Sequence, residues 1–454
     1  MAQEMPSFDP ASVETFRFVS YDFDETHAIA SLHYAFDDQH TFTERFTFEG
    51  SILPLDDARR AALDRSLAQL HLMAGISYYK AAVPKNIVVE TGPLTKDAAS
   101  FFEKIYLHGL GEFAHINGLN LHQTLSFPFE EGLERDVVSC PLPRKTAVPV
   151  GGGKDSLVTI EALKQADEPM VLFSIGAHKP IVDVAGVSGV EHIIVKRALD
   201  PHLFALNKQG AYNGHVPISA IIAFVLAVSS VLYGFDRAAL SNERSANVGN
   251  FEREDGFEVN HQYSKSLTFE RDLHAFWSKE GLGTFRYFSF LRPLSELHIA
   301  QLFARYPQYH SVFTSCNKAF RLVKTAPETR WCLDCPKCRF TFLAIAPALA
   351  KEALLAIYGA NLLDMPTQQE GFDELIGVSG HKPFECVGEV EECVAAFCQL
   401  ATRDEWKDAL LVKRFIEQVL PQVEDPSALI ERMLTPSQAH HLEPYFEERF
   451  HAAL

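Results

Sequence analysis

The chain has 454 residues, of which 47% are hydrophobic and 22% charged, and its 59 acidic and 41 basic residues give a formal net charge of −18. This composition predicts a folded, soluble protein of two or three domains. The acidic excess argues against nucleic acid as the main partner, because phosphate-backbone binding requires concentrated positive charge. The polar, acidic start of the chain carries no apolar signal segment, so we expect a cytoplasmic location.

Residues 1–145 predict an α+β N-terminal domain. Acidic and polar breaks separate three aromatic-rich alternating segments, which indicate antiparallel strands: Thr15–Asp22, Thr26–Phe36 and His40–Phe48. Two segments with helical periodicity follow, Asp56–Ala82 and Lys96–Asn117.

Residues 146–346 change to short strands that alternate with helices. This pattern predicts an α/β domain with a doubly wound parallel sheet and helices on both faces. The predicted strands are Thr146–Val150, Met170–Ile175, His192–Lys196 and Arg237–Ser241. Helical patterns dominate residues 347–454, for example in Glu389–Ala401, Glu405–Leu420 and Pro444–Ala453, so we expect a helical C-terminal region.

The segment Val216–Phe235 contains twenty residues without a charge, which is long enough to span a bilayer. However, Pro217 stands where it would start a helix, Ser and Gly residues interrupt the segment, and it lies between two predicted strands. We therefore predict a helix packed against a sheet and no membrane partner.

The glycine-rich loop Gly151–Ser156 joins a predicted strand directly to a helix. Its glycines permit a tight turn with uncovered N–H groups, and the helix that follows presents unpaired amides and the positive end of its dipole. These groups make an anion site suited to phosphate. The predicted nucleotide-binding residues are Gly151, Gly152, Gly153, Lys154, Asp155 and Ser156, with Asp155 associated with Mg²⁺ or capping the helix. The alternative is a glycine-rich turn without a ligand.

The spacing excludes a Walker loop, because Val148 occupies the position of its first glycine and Asp155 follows the lysine. The loop instead resembles the S-G-G-x-D-S loop of PP-loop ATP pyrophosphatases, with Gly151 in place of the first serine. The resemblance implies a PP-loop/HUP-like fold, ATP as a cofactor, and cleavage of ATP between its α and β phosphates.

Four cysteines follow a metal-binding pattern, C-x15-C-x2-C-x2-C: Cys316, Cys332, Cys335 and Cys338. Thiolates separated by two residues can reach one ion, and the distant fourth completes a tetrahedron, so we predict a structural Zn²⁺ site. An iron–sulfur cluster is the alternative.

Three polar segments supply further candidate site residues. Ser241–Asn247 directly follows a strand, where ligands of open α/β sheets bind, and contributes the predicted substrate-binding residues Asn242, Glu243, Arg244 and Asn247. A solvated loop is the alternative for this segment. Asn260–Ser266 contains His261 and Lys265, and His381–Gly388 contains Cys386, all three candidates for proton transfer. An interdomain contact is the alternative for His381–Gly388.

From end to end, these segments and the cysteine cluster resemble the ATP-dependent UDP-N-acetylmuramoyl-L-alanyl-L-glutamate epimerases of bacterial peptidoglycan synthesis. The resemblance implies a UDP-linked muramoyl dipeptide substrate, whose terminal L-Glu becomes D-Glu with ATP and Mg²⁺. It identifies neither the groups that move the α-proton, nor the contacts to UDP, nor the oligomeric state.

Other functions remain compatible with the motifs. One is a PP-loop amide- or nitrile-forming synthase that acts on an adenylated small carboxylate, which would consume ammonia. Another is a nucleotide-sensing zinc protein without turnover. A tRNA-thiolating PP-loop enzyme is disfavoured by the net charge of −18.

Overall fold

The computed structural model describes residues 7–249, 251–253, 256–320, 330–380, 385 and 387–454. The strands within these residues are Thr15–Asp24 (β1), Ile29–Phe36 (β2), His40–Phe48 (β3), Asn86–Val89 (β4), Thr146–Pro149 (β5), Met170–Ile175 (β6), His192–Ala198 (β7), Arg237–Leu240 (β8), Phe251–Glu252 (β9), Glu258–Val259 (β10) and Arg286–Ser289 (β11).

The first ten α-helices are Asp57–Ala74 (α1), Ile76–Tyr79 (α2), Lys96–Gly109 (α3), Gly111–Ile116 (α4), Lys154–Gln165 (α5), Lys179–Ser188 (α6), Pro201–Gln209 (α7), Ile218–Tyr233 (α8), Leu267–Glu280 (α9) and Glu296–Phe303 (α10). Those that follow are Pro336–Ile345 (α11), Lys351–Tyr358 (α12), Gln369–Leu375 (α13), Val390–Ala401 (α14), Leu410–Gln418 (α15), Pro426–Leu434 (α16) and Pro444–Ala453 (α17).

Nine strands form one mixed sheet in the order β11-β8-β5-β6-β7-β3-β2-β1-β4. The pairs β1–β2 and β2–β3 are antiparallel, which confirms the predicted hairpins, and β5 pairs with β8 in parallel. The strand β3 pairs with β7 in antiparallel fashion, with Phe48 opposite Val195. The protein is therefore a mixed α/β protein with a helical C-terminal region, and the N-terminal hairpins extend the sheet instead of forming a separate one.

Alternation of apolar and polar residues determines which face of the hairpin strands is buried. In β3, Phe42, Phe46 and Phe48 are buried while Thr41 and Arg45 are exposed, as expected for a strand with one face in the core. Glu44 also lies on the buried face, where its carboxylate accepts a 2.6 Å hydrogen bond from the guanidinium of Arg197 in β7. This ion pair offsets the cost of burying the carboxylate.

The chain divides into two compact units. Unit 1 comprises Met1–Ala147, Ile193–Ala238 and Phe251–Tyr287, and unit 2 comprises Val148–His192, Ala239–Asn250 and Phe288–Leu454. Unit 2 has its own apolar core, formed by side chains of α5, β6 and the helices from α10 onwards. The predicted domain boundaries at residues 145 and 346 stay a prediction.

The apolar segment Val216–Phe235 contains α8, as predicted, and this helix has 16 residues. Most of its side chains are buried, and it packs against α1 within unit 1. None of the helices formed by the described residues has the length and apolar character needed to cross a membrane.

Candidate functional site

The glycine-rich loop turns the chain from the end of β5 at Pro149 to the start of α5 at Lys154. Gly152 adopts a φ of +82°, a left-handed conformation that favours glycine. The loop is held on two sides, since Val150 N–H donates to Phe173 O at 2.8 Å and Thr314 N–H donates to Gly152 O at 2.9 Å. The backbone path predicted for this segment is therefore present and anchored.

The N-terminus of α5 presents backbone donors at the end of this loop. Gly153 is the N-cap residue, and a glycine has no side chain with which to accept the first-turn N–H groups. Ser156 adds a hydroxyl whose Oγ lies 3.3 Å from Gly153 O. Amides, hydroxyl and helix dipole together suit an anionic group such as a phosphate.

Lys154 is only 2% exposed, and its ammonium donates to the carboxylates of Asp155 and Glu296. Glu296 is the first residue of α10 and is 5% exposed. The lysine that the sequence places beside the phosphate loop is thus held within unit 2 by two carboxylates.

The buried lysine sits among an excess of acidic groups. Burial by itself lowers the pKa of Lys154, but Asp155 and Glu296 outweigh it and hold that pKa above its ordinary value. Burial raises the pKa of Glu296 well above its ordinary value, and the charge of Asp155 raises it further, as does that of Glu243, while Lys154 opposes the shift. Lys154 is thus shared by two carboxyl groups, and Glu243 lies close enough to Glu296 to act on its pKa.

The sequence alone did not identify Glu296 as a residue of the site. The segment Ser295-Glu296 indicates only the start of a helix with Ser295 as the capping residue, and Ser295 Oγ does accept from His298 N–H at 3.0 Å. The buried contact with Lys154 joins residues that are 142 positions apart, and no local pattern reports it.

Three of the four predicted substrate-binding residues are held by contacts within unit 2. Asn242 Nδ2 donates to Ser289 Oγ at 3.0 Å. The fully buried guanidinium of Arg292 donates to Glu243 O at 2.7 Å and to Asn247 Oδ1 at 3.3 Å. The structure brings these residues together after β8, where the sequence predicted them, and their role towards a substrate stays a prediction.

Arg244, the fourth predicted substrate-binding residue, is anchored elsewhere. Its backbone N–H donates to Leu294 O at 2.8 Å, and its Nη1 lies 3.3 Å from Thr435 O, beyond the end of α16. These contacts connect the segment after β8 with the helical C-terminal region within unit 2.

Two of the three predicted proton-transfer residues belong to unit 1, whereas the glycine loop belongs to unit 2. His261 and Lys265 belong to unit 1, where His261 Nδ1 is hydrogen-bonded to Glu112 Oε2 and Lys265 Nζ donates to Gln262 Oε1 at 3.4 Å. Cys386 lies outside the described residues.

The four predicted metal-binding cysteines come together in unit 2. Their Sγ atoms all lie within 4.8 Å of one another, and Cys338 Sγ is 3.5 Å from Cys335 Sγ and 3.8 Å from Cys332 Sγ. A tetrahedron of thiolates with Zn–S bonds of 2.3 Å has edges of roughly 3.8 Å. The donor set therefore fits a single Zn²⁺ ion.

A short segment connects the cysteine cluster with the glycine loop. Thr314, whose N–H donates to Gly152 O, also accepts from Cys316 N–H at 3.1 Å through its hydroxyl oxygen. The same hydroxyl donates to Arg330 O at 2.8 Å, two residues before Cys332. The two motifs recognised separately in the sequence are thus neighbours in the fold.

Two family models match the chain. The model described as the MurL N-terminal domain matches residues 7–290, and the model described as the MurL C-terminal domain matches residues 312–429.

Three relatives are named UDP-N-acetyl-alpha-D-muramoyl-L-alanyl-L-glutamate epimerase. The relative from Xanthomonas oryzae pv. oryzae (strain MAFF 311018) is 41% identical over 448 residues, which cover 99% of each chain. The relative from Micromonospora sp. (strain ATCC 39149 / NRRL 15099 / SCC 1413) is 42% identical and covers 97% of this chain and 98% of its own. The relative from Salinispora tropica is 41% identical over 436 residues, 95% of this chain and 94% of its own.

Proposed function

The chain belongs to the MurL family of epimerases, and from that premise we propose that it converts the terminal L-Glu of UDP-N-acetylmuramoyl-L-alanyl-L-glutamate to D-Glu in peptidoglycan precursor synthesis. The observation that carries this proposal is an identity of 41–42%, over nearly the whole chain, to three relatives that are named as this epimerase. An enzyme that supplies this precursor would act in the cytoplasm.

The reaction uses ATP to make the α-proton of glutamate removable. Deprotonation next to an ionised carboxylate would place two negative charges on one small group. Transfer of AMP to the carboxylate releases pyrophosphate, removes one of these charges and leaves a carbonyl that can accept the electron pair. Reprotonation on the opposite face and hydrolysis of the acyl-adenylate then give the D-epimer and AMP.

The loop Gly151–Ser156 binds the phosphates of ATP, in the manner of the PP-loop that it resembles. The backbone geometry supports this assignment, because the first-turn amides of α5 and the Ser156 hydroxyl lie together at the N-terminus of that helix. Asp155, beside Lys154 in the first turn of α5, provides the negative charge for an associated Mg²⁺.

The cysteine cluster holds a structural Zn²⁺. Four protein thiolates complete a tetrahedron and leave no position for a substrate, so the ion stabilises the fold and takes no part in the reaction. Its position next to Thr314 suggests that it fixes the segment on which the glycine loop rests.

Asn242, Glu243, Arg244 and Asn247 contribute to the substrate site at the end of β8. His261, Lys265 and Cys386 stay predictions from the sequence as candidate acid–base groups.

The proposal is tested by incubating the purified protein with the L-Glu dipeptide nucleotide, ATP and Mg²⁺ in D₂O. We expect AMP and pyrophosphate in equal amounts, and D-Glu that carries deuterium at its α-carbon because the abstracted proton is replaced from solvent. Reactions without ATP should yield no D-Glu. Formation of D-Glu without ATP would refute the adenylation step, and stoichiometric consumption of ammonia would instead identify an amide- or nitrile-forming synthase.

A further inference from the structure

Three side chains converge within unit 1, and of these only His261 is a candidate residue of the proposed reaction. Glu112 of α4, His215 before α8 and His261 after β10 each direct one ligand atom to within 4.8 Å of the other two. His261 Nδ1 is hydrogen-bonded to Glu112 Oε2, and His215 Nδ1 lies 3.9 Å from the same oxygen. The two imidazole rings are 4.4 Å apart between centroids.

The backbone around His215 is fixed against α4. A Cβ atom on Gly214 would lie 3.1 Å from the ring of Phe113, so this glycine permits the close approach that brings His215 to Glu112. The preceding residue, Asn213, accepts a 2.9 Å hydrogen bond from Lys80 Nζ through its side chain and a 3.4 Å hydrogen bond from Asn117 Nδ2 through its carbonyl.

A local turn places His261. The side chain of Asn260 accepts from Gln262 N–H at 2.7 Å, and its carbonyl accepts from Tyr263 N–H at 3.1 Å. The three side chains of the cluster are 12–20% exposed, so they are shielded yet reachable by a small ion. Their convergence therefore depends on three separately anchored segments.

We propose that Glu112, His215 and His261 bind one divalent transition-metal ion of the Zn²⁺ class. Two imidazole nitrogens and one carboxylate oxygen are a ligand set of zinc sites that keep a fourth position open. The same set is poor for Mg²⁺ or Ca²⁺, which prefer six or more oxygen ligands. This site is separate from the cysteine cluster, since it lies in unit 1 and contains no sulfur.

The charges near the site determine which kind of ligand fills the fourth position. Lys80 Nζ donates at 2.9 Å to the side chain of Asn213, two residues before His215, and Lys265 Nζ donates at 3.4 Å to the side chain of Gln262, which follows His261. Two ammonium groups and a divalent ion outweigh the carboxylate of Glu112, so the open position takes an anionic ligand such as a carboxylate or phosphate oxygen. This assignment makes His261 a metal ligand instead of an acid–base group.

The metal content of the purified full-length chain tests the site. We expect two Zn²⁺ per wild-type chain, one per chain in His215→Ala and in Glu112→Ala, and two in His115→Ala, a control that removes an exposed histidine from the same helix as Glu112. One Zn²⁺ per wild-type chain, unchanged by the His215 and Glu112 substitutions, would overturn the proposal.

Cobalt provides a second readout that does not depend on folding of any cysteine variant. Wild-type protein loaded with Co²⁺ should show thiolate charge-transfer bands from the cysteine cluster together with d–d bands from the second site. His215→Ala should lose only the second set, and added phosphate should shift only that set in the wild type. Identical spectra for wild type and His215→Ala would contradict the site. Neither measurement depends on epimerase activity, so a negative result would contradict the metal site without contradicting the proposed function.

Discussion

The three glycines of the glycine loop differ in the side chains that their positions can accept. A Cβ atom on Gly151 would meet no heavy atom within 4 Å, and its φ is not positive. Gly152 has a φ of +82°, and a Cβ atom on Gly153 would lie 3.0 Å from Ser315 Oγ. The loop therefore tolerates a side chain at its first position and resists one at the next two.

We expect Gly152→Ala to weaken ATP binding about tenfold, because a left-handed conformation costs a non-glycine residue about 1–2 kcal/mol. Gly151→Ser should bind ATP as tightly as the wild type or up to about tenfold more tightly, because it restores the serine of the PP-loop and adds a hydrogen bond to a charged group. Isothermal titration with ATP and Mg²⁺ measures both. Equal weakening by the two substitutions would contradict the proposed path of the loop around the phosphates.

The glycine loop and the cysteines could be predicted because each motif is contiguous or regularly spaced. The partner of Lys154 could not, because Glu296 lies in a different helix and its sequence context reports only a capped helix start. The same limit applies to the pairing of His261 with Glu112. Long-range side-chain contacts depend on how elements pack, and a single sequence contains no direct record of that packing.

His71 in α1 makes the stability of unit 1 depend on pH. Burial lowers its pKa from 6.5 to about 4, and its Nε2 lies 3.0 Å from His33 O. Because the unfolded chain takes up the proton first, the stabilisation is present above pH 6.5 and is lost as the pH falls towards 4. Between pH 7.5 and pH 5 we expect the wild type to lose about 2 kcal/mol from this group.

Urea unfolding of wild type and His71→Leu at both pH values measures this contribution. The variant should be less stable than the wild type at pH 7.5, because the His33 carbonyl loses its hydrogen bond with the imidazole. The difference between their free energies of unfolding should be about 2 kcal/mol smaller at pH 5. His115→Gln, at an exposed histidine of unit 1, serves as the control for removal of a histidine. A difference in stability between wild type and His71→Leu that is the same at both pH values would refute the assignment.

At the scale of elements, the segment Thr314–Cys316 connects the cysteine cluster with the glycine loop, so we expect it to couple metal binding to nucleotide binding. Thr314 N–H holds the Gly152 carbonyl, and its hydroxyl oxygen accepts from Cys316 N–H. Removing the metal should release this segment and deprive the glycine loop of one anchor. We expect Cys332→Ser to lose Zn²⁺ from the cysteine cluster and to bind ATP at least about tenfold more weakly, a change of about 1.4 kcal/mol.

Metal analysis and ATP titration of the same preparation test this coupling. Cys140→Ala provides a matched control, since Cys140 is buried in unit 1 and lies outside the cluster. It should retain the metal and the ATP affinity. Loss of the cluster metal with unchanged ATP affinity would show that the segment does not transmit the effect.

The elements that were predicted have strong apolar periodicity. The strands His40–Phe48 and Met170–Ile175 and the helix Pro444–Ala453 have the predicted bounds, and α8 lies inside the predicted helix Val216–Phe235. The antiparallel pairing of β3 with β7 was not predictable, because it joins strands about 150 residues apart and neither strand carries a signal for its partner. Alternating βα patterns predict a parallel sheet but do not show which further strands extend it.

At the scale of the whole molecule, composition does not show how the chain is organised. The two compact units each combine segments that are distant in sequence, so neither corresponds to a continuous stretch with its own composition. Net charge, by contrast, is a sum over residues and needs no knowledge of the fold. It therefore supports a prediction that concerns the entire chain.

We expect the protein to bind tRNA with a Kd weaker than about 10⁻⁴ M at physiological salt, the weak end of non-specific binding, because 59 acidic residues oppose 41 basic residues. Fluorescence anisotropy with labelled tRNA at two salt concentrations measures this, with a basic RNA-binding protein as the positive control. A micromolar Kd that weakens steeply with salt would indicate a concentrated basic surface and would revive a tRNA-modifying PP-loop enzyme. Weak binding that is insensitive to salt would leave the small acidic nucleotide substrate as the partner, because a local cluster such as Lys80 and Lys265 can bind one anionic group without attracting a polyanion.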